Sequence, residues 1–298
     1  MKTYVVLGAT GNTGKPIALG LLAKGNKVKV VSRDAHKAAD LVAKGAELIV
    51  GESNDAGVLR RALAGADALY MLIPASYSSP DFTKTQLSYV NAAAEALQGS
   101  SVKYVVTLSS VGAHLPMGAG VVQGLQLMEQ IINGIPGIHV LHLRATYFLE
   151  NGLNMAGMVK HMGIMGSPVR ADLKVPMVAT KDIAAKALAH LLALDFTGKG
   201  HEYVLGAKDY TYTEIAAIYG KAIGKPDLKY VQFSAADAKK GMMGAGMSEN
   251  VADRMNEFVK TMNDGRILEE VKRTATNTTA TTAEEFSQVF KSVFVTIG

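Results

Sequence analysis

The 298-residue chain has no cysteine, no apolar run of membrane-spanning length and no concentrated charge. Without cysteine there can be no disulfide, thiolate nucleophile, iron–sulfur cluster or cysteine-ligated zinc. Without a long apolar run no transmembrane helix is expected, and Met1-Lys2 leads straight into an apolar segment with no room for a signal sequence, so the expected location is cytoplasmic. The net charge of +5 is small and its basic residues are scattered, which argues against a nucleic-acid partner and allows at most a modest preference for anionic ligands. The histidines show no metal-ligand spacing, since His139 and His142 in the apparent strand Ile138 to Leu143 fall on opposite faces; no metal site is predicted. There is also no internal repeat and no low-complexity linker.

What the chain does have lies mainly in its first 33 residues. The apolar run Thr3 to Leu7 breaks into Gly8-Ala9-Thr10-Gly11-Asn12-Thr13-Gly14 and then into a helix-like segment beginning at Lys15. Glycines at spacing three and three let a strand reverse sharply into a helix, admit a pyrophosphate against the backbone, and pack the helix closely on the strand. The unpaired amides of the helix start would face that phosphate. Gly8, Thr10, Gly11, Asn12, Thr13 and Gly14 are therefore candidate dinucleotide contacts. A second strand, Lys27 to Ser32, follows at βαβ distance and ends in Ser32-Arg33, where an NAD-preferring site would carry an acid for the ribose hydroxyl. A guanidinium beside a hydroxyl suits the 2′-phosphate of NADP(H) instead, so NADP(H) is predicted over NAD(H). Asp34 reads as the N-cap of a helix over Ala35 to Lys44, and Lys37 either supports the same phosphate or faces water.

Strands and helices then alternate: strands at 46–50, 68–73, 102–108 and 138–143, helices at 56–63, 82–97 and 121–132. This rhythm predicts a doubly wound parallel sheet, a Rossmann arrangement, with ligands at the carboxyl ends of its strands. Those ends bring in Ile73, Pro74, Leu108 and Ser109 as further cofactor contacts, and the segment Arg144 to Asn151 with Tyr147. Residues 1–150, joined by 175–206, form the expected cofactor domain; 151–174 and 207–298 form a smaller α-rich substrate domain. In the returning segment 175–194 reads as a loop then a helix and 201–205 as a strand; in the substrate domain 211–223 and 235–265 read as helices and the threonine-rich stretch 274–282 as a loop. Its methionines (Met155, Met158, Met162, Met165, Met242, Met243, Met247) either wall a flat apolar ligand or simply fill core.

Taken together, Val5-Val6-Leu7-Gly-Ala-Thr-Gly-Asn-Thr-Gly14, Ser32-Arg33-Asp34, Leu108-Ser-Ser-Val-Gly112, Leu143-Arg-Ala-Thr-Tyr-Phe-Leu-Glu-Asn151, Val178-Ala-Thr-Lys-Asp-Ile-Ala-Ala185, Glu202-Tyr-Val-Leu-Gly206 and Gly224-Lys-Pro226 resemble the NmrA-like proteins, atypical members of the extended short-chain dehydrogenase/reductase group. The resemblance covers nearly the whole chain and is strongest to azoreductase-like and quinone-oxidoreductase-like members; it also implies kinship with NADP-sensing regulators. Two features depart from the wider group. No tyrosine has a lysine four residues on, so the usual Tyr-x-x-x-Lys proton donor is missing. Ahead of Glu129, where many relatives keep a lysine, the chain has Gln123-Gly-Leu-Gln-Leu-Met128, and Ala145 replaces a proline.

The missing pair favours activated acceptors. Hydride delivered to a ketone builds an alkoxide with a pKa near that of water, about 16, and needs a positioned acid. Hydride delivered to a quinone builds a phenolate-like anion with a pKa of about 10, which solvent can protonate. The expected activity is NAD(P)H-dependent reduction of a small aromatic acceptor, a quinone or azo compound, with Ser109, His114 and Tyr147 as candidate catalytic residues. The competing expectation is a non-catalytic NADP(H) sensor acting through a protein partner. Association into a homo-oligomer is left open.

Overall fold

The computed structural model describes residues 1–297. Strands β1 (Thr3–Val6), β2 (Lys27–Ser32), β3 (Glu47–Val50), β4 (Ala68–Met71), β5 (Tyr104–Ser110) and β6 (His139–Ala145) alternate with helices α1 (Gly14–Ala23), α2 (Ala35–Ala43), α3 (Ala56–Leu63), α4 (Phe82–Leu97) and α5 (Gln123–Asn133). The chain then passes through β7 (Tyr147–Phe148), α6 (Ala156–Met162), β8 (Ile164–Ser167), β9 (Val175–Val178) and α7 (Thr180–Ala193) to β10 (Lys199–Val204). Beyond it lie β11 (Asp209–Tyr210), α8 (Tyr212–Ala222), β12 (Lys229–Gln232), α9 (Ala235–Gly244), α10 (Glu249–Asn263) and α11 (Ala283–Thr296).

Seven strands form one parallel sheet in the order β10-β6-β5-β4-β1-β2-β3. The chain runs outward from β1 to β3, then crosses back to place β4 on the other side of β1. A crevice opens where such an order reverses, outside the carboxyl ends of β1 and β4. Helices cover both faces, which is why β4 reads Ala-Leu-Tyr-Met and is buried throughout. One face packs Leu59, Leu63, Val90, Leu97 and Met128 from α3, α4 and α5; the other packs Ile17, Leu21, Leu41, Ile183 and Leu191 from α1, α2 and α7. A third apolar cluster gathers residues from α6, β8, β9, α8 and α11, with Tyr219 stacked on Phe290 at 4.4 Å.

Carboxylates tie this cluster to the sheet. Glu150 accepts hydrogen bonds from the Thr180 amide (2.9 Å) and hydroxyl (2.6 Å), closing the start of α7. Asp182 accepts from the Thr281 amide at 3.0 Å and its hydroxyl at 2.8 Å, fixing the threonine-rich loop just before the capping box that starts α11.

The structure revises several element boundaries. The fifth strand runs over 104–110 rather than 102–108, and 175–178 is a strand rather than a loop. The helical run at 235–265 is interrupted: Gly246 takes φ +91°, a conformation side chains resist, and Ser248 starts α10 by capping the Val251 amide. The short strands β7, β8, β11 and β12 had no readable alternation, being two to four residues long. Among the described residues no helix is long and apolar enough to cross a membrane, and no His, Asp and Glu group is arranged to hold a metal ion.

His142 shows how the sheet interior bears on stability. It is buried on β6, bonded to the Thr107 hydroxyl at 2.8 Å and the Asn133 side chain at 3.0 Å, and burial lowers its pKa from 6.5 to about 4. The unfolded chain binds a proton at His142 between these values and the folded chain does not, so stability falls as pH drops from 6.5 toward 4. At 1.36 kcal/mol per unit the loss is about 3 kcal/mol. Urea unfolding of wild type between pH 7.5 and 4.5 should show this slope, and His142→Gln should flatten it.

Candidate cofactor cleft and acceptor pocket

The glycine turn is built by Gly8 and Gly14 and left open by Gly11. Gly8 sits at φ +64°, where a methyl group would meet the Leu72 side chain at 2.7 Å, and a methyl on Gly14 would collide with the Gly8 carbonyl. A methyl on Gly11 meets only the Gly8 oxygen, at 3.3 Å, and otherwise points into the cleft. Gly11 and its neighbours Thr10 and Asn12 are exposed, while the Thr13 hydroxyl is buried and accepts a hydrogen bond from Tyr70 at 3.0 Å. Helix α1 starts here with no side-chain cap, unlike α2, α3 and α4, each of which an aspartate caps. An uncapped helix start behind a side-chain-free approach fits a pyrophosphate.

Around the turn lies a cleft of about 310 Å³ that includes Ser32, Arg33 and Lys37. Arg33 is 74% exposed in its side chain and among the described residues pairs with Glu52, at 3.6 Å. Asp34 lines the same cleft and accepts from the His36 amide at 2.8 Å, capping α2. The Ser32 hydroxyl is engaged locally, donating to the Asp34 carbonyl at 2.8 Å. Gly51, Glu52, Ser53 and Tyr89 complete the wall and were not singled out from the sequence.

Leu72 and Pro74 also line a second cavity, of about 480 Å³, at the ends of β4 and β5. Ile73, Pro74, Leu108, Ser109 and Tyr147 all line it. Of the methionines, Met155, Met242 and Met247 face it, whereas Met165 is core and Met162 and Met243 are exposed. Met255, Met262 and Phe258 from α10 and Gln86 from α4 also line it, none of them anticipated. His114 does not line this cavity, so the loop does not fold back to bring it there, and its Nδ1 is buried without a partner.

Ser109 is held from behind. Its hydroxyl donates to Glu129 Oε1 at 2.5 Å, and Glu129 is gripped by Arg144 through Nε at 3.0 Å and Nη2 at 2.6 Å. Both charged side chains are less than 10% exposed. Burial alone would raise the Glu129 pKa, but the Arg144 and Ser109 hydrogen bonds hold it below the usual carboxylate range. The one Ser109 proton therefore points at a carboxylate, and toward the cavity the hydroxyl offers only lone pairs. Tyr147 differs: its ring packs edge-on against Tyr212 at 5.8 Å, and burial raises its pKa, so the phenol keeps its proton at neutral pH. Of the three candidates, Tyr147 is the one that combines a place in the cavity wall with a proton to donate.

The chain belongs to the NmrA-like family, which it matches over residues 1–288. It is 29% identical over 258 residues to an NAD(P)H azoreductase of Xenophilus azovorans, with 85% of each chain covered. Among solved structures it is similar to an NADPH-dependent quinone oxidoreductase of Escherichia coli complexed with NADPH (TM-score 0.78, 22% identity, 96% of this chain and 99% of that one). It is also similar to NmrA, a negative transcriptional regulator solved with NADP (TM-score 0.69, 14% identity, 98% and 91%). At these identities the two structural likenesses are likenesses of fold.

Proposed function

We propose that this NmrA-like protein is an NADP(H)-dependent reductase of flat, activated acceptors of the quinone or azo class. The observation that carries this reading is the adjacency of the two cavities: a phosphate-fitting turn lies beside, with Leu72 and Pro74 as shared wall, a pocket lined by methionine and aromatic side chains. Bound NADPH would supply the hydride. Gly8 to Gly14 would hold its pyrophosphate, Arg33 and Lys37 its 2′-phosphate, and Ile73, Pro74, Leu108 and Ser109 its nicotinamide end. Ser109, able only to accept, suits an amide N–H. The methionines of α9 and α10 adapt to an acceptor ring, and holding two rings face to face supplies much of the rate by orientation. Tyr147 can hydrogen-bond the acceptor oxygen, and solvent can complete protonation of a product with a pKa of about 10. The azoreductase relative supports the same class of chemistry.

An NADPH-consumption assay over a panel of quinones and azo dyes tests the activity. Single replacements Ser109→Ala and Tyr147→Phe should each lower kcat by less than about a hundredfold, the lower end of what general acid catalysis provides. A thousandfold loss from either would identify an indispensable acid. Arg33 contributes a charge-assisted contact of about 1.5 to 3 kcal/mol to the 2′-phosphate, so NADP should bind roughly tenfold or more tighter than NAD. Arg33→Glu should abolish or reverse that ratio; an unchanged ratio in a binding titration would show that Arg33 is a bystander.

A further inference from the structure

Among the described residues, those lining the acceptor pocket carry no charge at neutral pH. Its polar contributions come from neutral groups such as Gln86, Ser110, Thr146, Tyr147, Asn151 and Asn154, and the rest is aliphatic, aromatic or thioether. The ion pair of Glu129 with Arg144 lies behind Ser109 and cancels itself through a bidentate contact. Gln86 is 5% exposed; its Nε2 donates to the Val121 carbonyl at 3.3 Å, and its Oε1 has no partner. Gly124, with no side chain, leaves the room this carboxamide occupies. Gln86 Oε1 is thus turned against Gly124, and the wall can offer an anion hydrogen bonds from neutral groups such as Tyr147 but no opposite charge. An ionised group entering such a space loses its hydration and meets no opposite charge, a far larger cost than a neutral polar group incurs.

We infer that the pocket selects uncharged acceptors and rejects anionic ones, sulfonated or phosphorylated rings included. This narrows the substrate class of the proposed reductase and rests on that reading for turnover, though not for binding. The distinction is testable on either ground. Equilibrium dialysis of 2-naphthol and naphthalene-2-sulfonate, neither reducible by NADPH, against NADPH-saturated protein should give at least hundredfold weaker binding of the sulfonate. In turnover, 2-methyl-1,4-naphthoquinone should exceed 1,4-naphthoquinone-2-sulfonate in kcat/KM by a similar factor, after each is divided by its rate with free NADPH. The absence of cysteine removes thiol adducts from this comparison. Met247, half-buried at the pocket wall, allows a charge switch: Met247→Lys should narrow both ratios at least tenfold, and Met242→Lys serves if that variant does not fold. Affinities within threefold of each other, or a ratio untouched by the introduced lysine, would overturn the inference. Discrimination in binding with no turnover of either quinone would sustain it while sinking the reductase reading. Equal binding and equal turnover would do the reverse.

Discussion

Glu129→Ala should destabilise the fold by about 3 to 5 kcal/mol, the range expected when one partner of a buried ion pair is removed and the other is stranded. Arg144 would keep its charge with less than 10% of its side chain exposed. Its other polar neighbour, the Tyr203 hydroxyl at 3.5 Å, is too distant to replace a bidentate carboxylate. The pair is costly to break rather than necessary to have, so Glu129→Leu combined with Arg144→Met should recover most of the loss. Urea denaturation of the three proteins decides this, and a loss below about 1 kcal/mol for the alanine variant would mean that water reaches Arg144. The carboxylate also adds a pH dependence. Its folded pKa is depressed, so its contribution is present above the unfolded value near 4.5 and is lost as pH falls through the folded one. This loss begins at the lower end of the window in which His142 acts and extends below it during acidification.

Gly11→Val should cost at least a hundredfold in NADP affinity while leaving thermal stability close to that of wild type. The three glycines of the turn separate cleanly on this point. Gly8 and Gly14 are required by the protein itself, one by its positive φ and the Leu72 side chain, the other by the Gly8 carbonyl. Gly11 has only one near neighbour, at 3.3 Å, and is exposed. A branched side chain there would occupy the space where the backbone must approach a pyrophosphate. Isothermal titration with NADP, paired with a melting curve, separates loss of binding from loss of fold. Full affinity in a folded Gly11→Val protein would reduce the motif to a structural turn.

The contrast between what was legible and what was not follows the range of the interactions. The glycine turn, the Asp34 cap and the alternation through β6 are set by neighbours a few residues away, and they stand in the structure nearly as the sequence implied. The Rossmann arrangement followed from that alternation. The acceptor pocket is another matter. Met255, Phe258 and Met262 reach it because α10 packs against residues 120–122 and 266–268, a placement no local pattern encodes. Gln86 did leave a trace: it stands four residues from Phe82 and four from Val90, a polar residue within the buried stripe of α4. Ser109 was found by position, but its role was not, since the group that claims its proton lies on another element twenty residues away. His114 failed as a pocket residue for the same reason, because sequence proximity to Ser109 and Ser110 says nothing about the direction its loop takes.

The account stands or falls on hydride transfer within the adjacent cavities. In an anaerobic single turnover, protein loaded with one equivalent of NADPH and mixed with excess 2-methyl-1,4-naphthoquinone should oxidise the cofactor in one exponential phase. That phase should be far faster than the reaction of free NADPH, should yield one hydroquinone per NADPH, and should slow when the transferred position carries deuterium. Oxidation no faster than that of NADPH in solution, in a protein that binds the cofactor tightly, would contradict the account and mark the protein as a sensor of NADP(H).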